Sequence, residues 1–187
     1  MPDRDRDVDV VVGAGGAGLA AALAARECGA DVLLVEVAGR VGGSTALSSG
    51  SFMAAGTEMQ RERELADDPD AFFDHYLTFN RWVCDPAVAR RFCDDGWSTM
   101  QWLISQGVRY EASGLYRAGR ESVPRSHRPH GGGQAVVDAL AAAARGGRRR
   151  DRPRQPRGPV QSQRNSAFDP RMLSGFMWRR CHARSAV

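Results

Sequence analysis

The sequence predicts an α/β chain that opens on a parallel strand–helix–strand unit, and three observations carry that expectation. Val8, Val10, Val11 and Val12 form a short β-branched run interrupted only by Asp9. The alanine- and leucine-rich stretch Leu19 to Glu27 consists of strong helix formers. A second apolar run, Val32 to Val35, ends on the acid Glu36. Near-continuous apolar runs of this length suit parallel strands buried on both faces.

The turn between the first strand and the helix is the most informative stretch. Gly13-Ala14-Gly15-Gly16-Ala17-Gly18 has the spacing G-x-G-x-x-G. Gly13 permits the tight turn, Gly15 lets the backbone approach a pyrophosphate, and Gly18 lets the helix pack close to the strand. The free N–H groups and positive dipole end of the helix then face the phosphates. Gly29 sits where a helix C-cap belongs. Glu36, 18 residues beyond Gly18, is placed to accept hydrogen bonds from a ribose hydroxyl pair. A carboxylate there repels a 2′-phosphate and disfavours NADP. Strand, turn, helix and acid agree on a Rossmann-like dinucleotide-binding unit.

After Glu36 come two clusters of small hydrogen-bonding residues, Gly42-Gly43-Ser44-Thr45 and Ser48-Ser49-Gly50. Such a loop can lay N–H groups and hydroxyls along a phosphate or a flat ring. A plain nicotinamide domain demands no second loop here. An NAD-dependent dehydrogenase is the alternative, and it requires Gly42 to Gly50 to lie far from the Gly13–Gly18 turn.

This pair of features resembles the flavoprotein family of succinate dehydrogenase, fumarate reductase and 3-ketosteroid Δ1-dehydrogenase. The matching residues are Val11 to Ala22, Glu36, Gly42 to Thr45, and Ser49-Gly50. The resemblance implies FAD, with Gly13 to Gly18 on its pyrophosphate and Glu36 on the adenosine ribose. Gly42, Gly43, Ser44, Thr45, Ser49 and Gly50 are then expected along the pyrophosphate and flavin side. Ser44 stands where the succinate dehydrogenases carry a flavin-linked histidine, which implies noncovalent FAD. A hydride would pass between flavin N5 and an activated C=C or CH–CH of a fumarate-like dicarboxylate or a 3-ketosteroid. The family's catalytic residues are expected beyond the stretch covered, so no catalytic residue is assigned.

The middle of the chain is similar to the start of that family's inserted α+β capping domain. Thr57 to Glu64 is polar and reads as an exposed crossover. Asp68-Pro69 and Asp85-Pro86 are N-cap and first-turn proline signals. The first opens a helix with Phe72, Phe73, Tyr76, Leu77 and Phe79. The second opens one carrying Val88, Phe92, Met100, Leu103 and Ile104, stopped near Gly107. These apolar residues are expected to be core, and Val108 to Glu111 a short strand. Arg125-Ser126-His127-Arg128-Pro129-His130-Gly131-Gly132-Gly133 is similar to the family's return from cap to FAD domain. Its glycines open a helix, Gln134 to Ala144, that buries Val136, Val137 and Leu140. His127 and His130 are the candidate substrate contacts, and Arg125 and Arg128 the candidate partners for cap carboxylates. The expected segments are 1–57 (first FAD-binding segment), 58–125 (partial cap), 126–145 (return) and 146–187 (tail).

The tail departs from this pattern. Through Arg145 there are 15 arginines against 20 acidic residues; from Gly146 onward, 11 against 2. Arginine and repeated proline without periodicity predict a disordered segment. The break is read as a shifted reading frame or truncated gene near Gly146, which makes a noncatalytic nucleotide-binding fragment or a gene remnant the further alternative. Arg148-Arg149-Arg150 can neutralise phosphates, but no nucleic-acid-binding fold accompanies it, so no specific nucleic-acid partner is expected. Cys28, Cys84, Cys93 and Cys181 form no CxxC pair and lie at no metal-ligand spacing from histidine. They are expected as free thiols, with no metal site. No apolar run reaches membrane-spanning length, and a cytoplasmic location follows by default.

Overall fold

The computed structural model describes residues 9–146. Its first elements are β1 (Val10–Gly13), α1 (Gly16–Glu27) and β2 (Val32–Val35). β1 and β2 pair in parallel, with Val10 opposite Val32 and Gly13 opposite Val35. This register brings the C-terminal ends of both strands level, so the glycine turn and Glu36 emerge side by side. Gly15 caps α1 in extended conformation, and Leu19 N–H closes the first turn on the Gly15 carbonyl at 2.9 Å. Gly29 takes φ +86° just past the helix end, the left-handed conformation expected of a C-terminal glycine.

The chain continues through α2 (Gly43–Leu47), β3 (Phe52–Met53), α3 (Glu58–Glu62), α4 (Pro69–Phe79), α5 (Pro86–Asp94), α6 (Gly96–Ser105), β4 (Tyr110–Tyr116), β5 (Ser126–Pro129) and α7 (Gly132–Gly146). α7 returns to the start of the chain. Its Val136, Val137, Leu140 and Ala141 pack with Leu19 and Leu23 of α1 and with Leu103 and Val108. Burial of each large apolar side chain in this cluster contributes about 1.5–3 kcal/mol. Arg26 of α1 adds a hydrogen bond to the Ala144 carbonyl near the end of α7.

β3, β5 and β4 form a separate antiparallel sheet with β5 in the middle. Phe52 and Leu115 both lie opposite His127, whereas Met53 and Tyr116 lie opposite Ser126. Side chains alternate along each strand, so Phe52, His127 and Leu115 share one face. Leu115 and His127 are 3% and 1% exposed.

Both Asp-Pro helix starts form as expected. Asp68 accepts from Ala71 N–H and Asp85 from Ala87 N–H, each at 2.8 Å, with proline following in the first turn. Several expectations need correction. The single helix expected from Pro86 to Gly107 is two, α5 and α6, because Asp95 ends one and begins the next. Gly96 then fits against Met53 and Ala54, where an added Cβ would be 3.4 Å from backbone atoms. The break changes the helical phase and leaves Val88, Phe92 and Ile104 exposed, as Phe79 also is. The strand expected at Val108–Glu111 runs instead from Tyr110 to Tyr116. The small-residue loop contains a turn of helix, α2. β1 and β2 are only partly covered among the described residues, not buried on both faces.

The 57–64 segment is also not an exposed crossover. Thr57 and Gln60 are fully buried in a reciprocal cap of α3: Gln60 N–H donates to Thr57 Oγ1, and Thr57 N–H to Gln60 Oε1. Cys84 and Cys93 are free thiols, whereas Cys28 is disulfide-bonded, against expectation. Among the described residues no helix is long and apolar enough to cross a membrane, and no group of three or more metal-ligating residues gathers. The proposed disordered or frameshifted tail beyond Gly146 lies outside the described residues, as does Cys181.

Candidate nucleotide-binding site

The level ends of β1 and β2 open onto a cleft of about 470 Å³ lined by Gly13, Ala14, Gly15, Val35, Glu36 and Val37. The glycines of the turn divide into two kinds. A Cβ built on Gly13 or Gly15 would meet nothing within 4 Å, so their backbone faces open space. A Cβ on Gly18 would fall 1.6 Å from the Gly13 carbonyl oxygen, and one on Gly16 would fall 2.5 Å from Thr45 Oγ1. Gly13 and Gly15 are therefore the approach surface, while Gly16 and Gly18 hold the turn together. Ala14 is buried beneath this surface and Ala17 is exposed beside it. The first-turn N–H groups of α1, a helix of 12 residues, supply positive potential here.

Glu36 is exposed at the end of β2, and its Oε1 accepts from Ala38 N–H at 2.9 Å. Its Oε2 has no partner among the described residues. A carboxylate held at the cleft rim with one oxygen available suits a hydroxyl donor.

The loop after Glu36 returns to the glycine turn. Gly42 N–H donates to the Ala14 carbonyl at 2.8 Å, and Gly15 and Gly42 form a parallel bridge. Gly42 takes φ +128° and is buried, with space for a Cβ already filled by Ala46 and Val137. Gly43 lies beside Gly15, and Thr45 beside Gly16. Ser44 is exposed on the outer side of α2. Ser48 Oγ bonds the Thr45 carbonyl at 2.8 Å and receives Gly50 N–H at 3.1 Å, which shapes the next turn. Gly50, at φ +69°, presses on the start of α7, where a Cβ would be 2.6 Å from Gly133 N. Gly133 N–H in turn donates to the Ser48 carbonyl at 3.2 Å. Residues 42–50 are thus held between the glycine turn and the N-terminus of α7.

His127 and His130 do not join this group. His127 lies on the buried face of β5 with both ring nitrogens engaged. A carbonyl oxygen only accepts, so Nδ1 carries the proton it donates to Arg125 O at 2.7 Å. Nε2 then accepts from the Thr57 hydroxyl at 2.9 Å. Burial pulls the imidazole below its ordinary range, against opposing contributions from the Arg125 and Phe52 carbonyls and from Glu121. His130 is exposed in the turn before α7. Arg125 pairs with Asp67, one of the outcomes anticipated for it, whereas the Arg128 guanidinium lies over the Tyr116 ring. Two features escaped the sequence reading. The Thr57–Gln60 cap had a findable signal, the T-x-x-Q spacing; Asp67 had none.

A parallel βαβ unit with an open glycine turn, a rim carboxylate and a second backbone loop on the same turn defines a dinucleotide-binding α/β domain. Over residues 7–186 the chain matches the family described as "FAD binding domain", and it belongs to that family. It is 36% identical over 128 residues to a probable fumarate reductase, Ifc3, of Shewanella frigidimarina, covering 67% of this chain and 21% of the relative. Among solved structures it is similar to the open conformation of a flavocytochrome c3 fumarate reductase, with TM-score 0.67 and 36% identity, over 73% of this chain and 24% of that one. It is also similar to 3-ketosteroid-Δ4-(5α)-dehydrogenase from Rhodococcus jostii RHA1, with TM-score 0.69 and 26% identity, over 78% and 37% of the two chains. The chain spans about a fifth of the length of the curated fumarate reductase it matches.

Proposed function

We infer that this chain supplies the first FAD-contacting part of a flavin-dependent oxidoreductase acting on a small molecule with an activated C=C or CH–CH. In this reading Gly13, Ala14, Gly15, Gly16, Ala17 and Gly18 cradle the pyrophosphate and Glu36 holds the adenosine ribose. Gly42, Gly43, Ser44, Thr45, Ser49 and Gly50 line the pyrophosphate and flavin side. The carrying observation is the Gly42 N–H to Ala14 carbonyl bond, which sets a second run of backbone donors against the first. The open space before Gly13 and Gly15 has the steric character a pyrophosphate needs. When bound, FAD would supply hydride exchange at N5; the chain's residues bind and orient it.

Segments 1–57 and 126–145 belong to the FAD-binding part and 58–125 to a cap, a division supported by the buried meeting of Thr57 with His127. His130, exposed near the loop's α7 support, is the histidine left with reach toward a substrate, since both ring nitrogens of His127 are engaged. FAD is held without a covalent bond, because the exposed nucleophile-bearing position in α2 is the weakly nucleophilic Ser44. The free thiols Cys84 and Cys93 go with a cytoplasmic location, and the Cys28 disulfide goes against it.

The full chain, purified with FAD and passed through a desalting column, is expected to retain flavin, bleach with dithionite, and release all flavin on acid precipitation. Glu36→Gln is expected to weaken FAD binding on the order of tenfold. Absence of retained flavin would overturn the cofactor site, and flavin remaining in the acid pellet would overturn noncovalent attachment.

A further inference from the structure

The β3–β5–β4 sheet has a second face, and it carries an array that the cofactor site does not use. Arg128 follows His127 along β5 and takes the opposite side, the side of Ser126 and Tyr116. Its guanidinium lies 4.8 Å from the centre of the Tyr116 ring. Tyr116 OH is 2.7 Å from Ser51 Oγ, and Ser49 Oγ donates to Ser51 Oγ at 3.2 Å. A continuous polar line therefore runs from the loop that carries Gly50, through Tyr116 of β4, to an arginine on the central strand β5.

Arg128 differs from Arg63 and Arg125, whose guanidinium groups are committed to partners. Arg63 is spent on the Leu115 carbonyl at 2.7 Å, and Arg125 on Asp67. Arg128 is exposed, and among the described residues its guanidinium makes no hydrogen bond or ion pair. A guanidinium lying on an aromatic face is held in place by that face and keeps its planar fork of donors free. The hydroxyls add one more donor. Ser49, Ser51 and Tyr116 have three O–H groups, and the two bonds among them use two protons. Whichever way the Ser51–Tyr116 bond runs, one O–H remains to donate outward. A planar cationic fork with one neighbouring hydroxyl donor matches a carboxylate, which accepts at two oxygens and has one negative charge.

We propose that Arg128, Tyr116 and Ser51 form a carboxylate-binding subsite that selects an anionic substrate at the edge of the Ser49–Gly50 loop. This deepens the proposed oxidoreductase function and rests on it. Of the two substrate classes the family resemblance implies, it favours a carboxylic acid with an activated double bond over a neutral steroid enone.

The test is an NMR titration of the full chain with FAD, using succinate as probe and following the Arg128 Nε–Hε signal. The signal is expected to shift and saturate with succinate and to stay still with the neutral isostere succinamide. Arg128→Gln, followed through neighbouring backbone amides, is expected to weaken succinate binding on the order of tenfold or more, and Arg128→Lys by less. Tyr116→Phe keeps the ring and loses the hydroxyl, and is expected to fall between them. Flavin fluorescence in the same samples separates the two readings. Flavin retained with no succinate response, with equal response to succinamide, or with unchanged affinity in Arg128→Gln overturns the subsite alone. A specific succinate response without flavin binding overturns the cofactor reading and leaves the subsite standing.

Discussion

Asp67 and Arg125 lie 58 positions apart in sequence and meet as a two-pronged ion pair from which water is excluded. Arg125 Nε reaches Asp67 Oδ2 at 2.8 Å and its second nitrogen reaches Oδ1 at 2.5 Å, with side chains 1% and 0% exposed. The pair is fully satisfied: Gln60 Nε2 donates to Asp67 Oδ2, Ser122 Oγ receives Arg125, and the guanidinium lies over Phe72. Gln60 also donates to the Pro124 carbonyl at 2.8 Å. This knot fastens α3 and the start of α4 to the strand entering β5.

Removing one partner is therefore expected to cost far more than removing both. Arg125→Met leaves a buried, unpaired carboxylate and should destabilise the chain by about 3–5 kcal/mol. The double variant Asp67→Leu/Arg125→Met should recover most of that loss. Urea unfolding of the two variants checks this; equal losses would show that the charge pairing is not what holds the knot.

The two kinds of glycine in the turn should separate under mutation. Gly15→Ala puts a methyl into open cleft, so the unfolding midpoint should stay close to the parent while FAD affinity falls on the order of a hundredfold. Gly18→Ala drives a methyl to 1.6 Å from backbone that cannot yield locally, and should lower stability by several kcal/mol whether or not FAD is present. Thermal unfolding with and without FAD distinguishes them. A Gly15→Ala protein that unfolds like Gly18→Ala would mean the cleft in front of Gly15 is not free.

The difference between these glycines also shows how far the sequence could be read. Period and spacing located β1, α1 and β2, because each is a local pattern that the tertiary structure reinforces. The 86–107 segment misled because a run of apolar residues at helical spacing hides a one-residue break, and Asp95 resets the phase. The burial of His127, a candidate substrate contact, is hidden in the sequence because its neighbours, Arg, Ser and Pro, are mostly polar. Its burial is set by Phe52 and Leu115 on two flanking strands, neither adjacent in sequence. The Asp67–Arg125 pair was half visible: an arginine seeking a cap carboxylate was expected, but which carboxylate depends on the path of the chain between them.

The two free cysteines among the described residues should report on the α4–α5 hairpin. Cys93 is 1% exposed among Ala55 and Phe72, and burial pushes its thiol up to about 11, with Arg90 and Arg125 drawing it down and Asp94 adding to the rise. At pH 8 only about a thousandth of it is thiolate. Cys84 is partly exposed between the two helices. Iodoacetamide at pH 8 should therefore modify Cys84 in the native protein and Cys93 only after denaturant is added, as read by peptide mass spectrometry. Native-state alkylation of Cys93 at the rate of Cys84 would show that the packing around Phe72 opens readily.

His127 should make stability depend on pH in a defined window. The buried ring is held neutral, with its pKa lowered from the ordinary 6.5, burial being the main cause. The unfolded chain binds the proton first as pH falls, so the folded state loses stability from about pH 6.5 downward until the lowered pKa is passed. Above that range the contribution is fully present. The groups around the ring set its size: Thr57 donates to Nε2, the Arg125 carbonyl accepts from Nδ1, and Glu121 acts at longer range to favour the charged form. His127→Asn can still donate toward Arg125 but leaves the Thr57 hydroxyl without its acceptor. It should cost about 1–3 kcal/mol at pH 7.5 and show a shallower decline between pH 6.5 and 5 than the parent. Urea midpoints measured across that range decide the matter. Parallel pH profiles for the two proteins would mean that the acid sensitivity arises elsewhere in the fold.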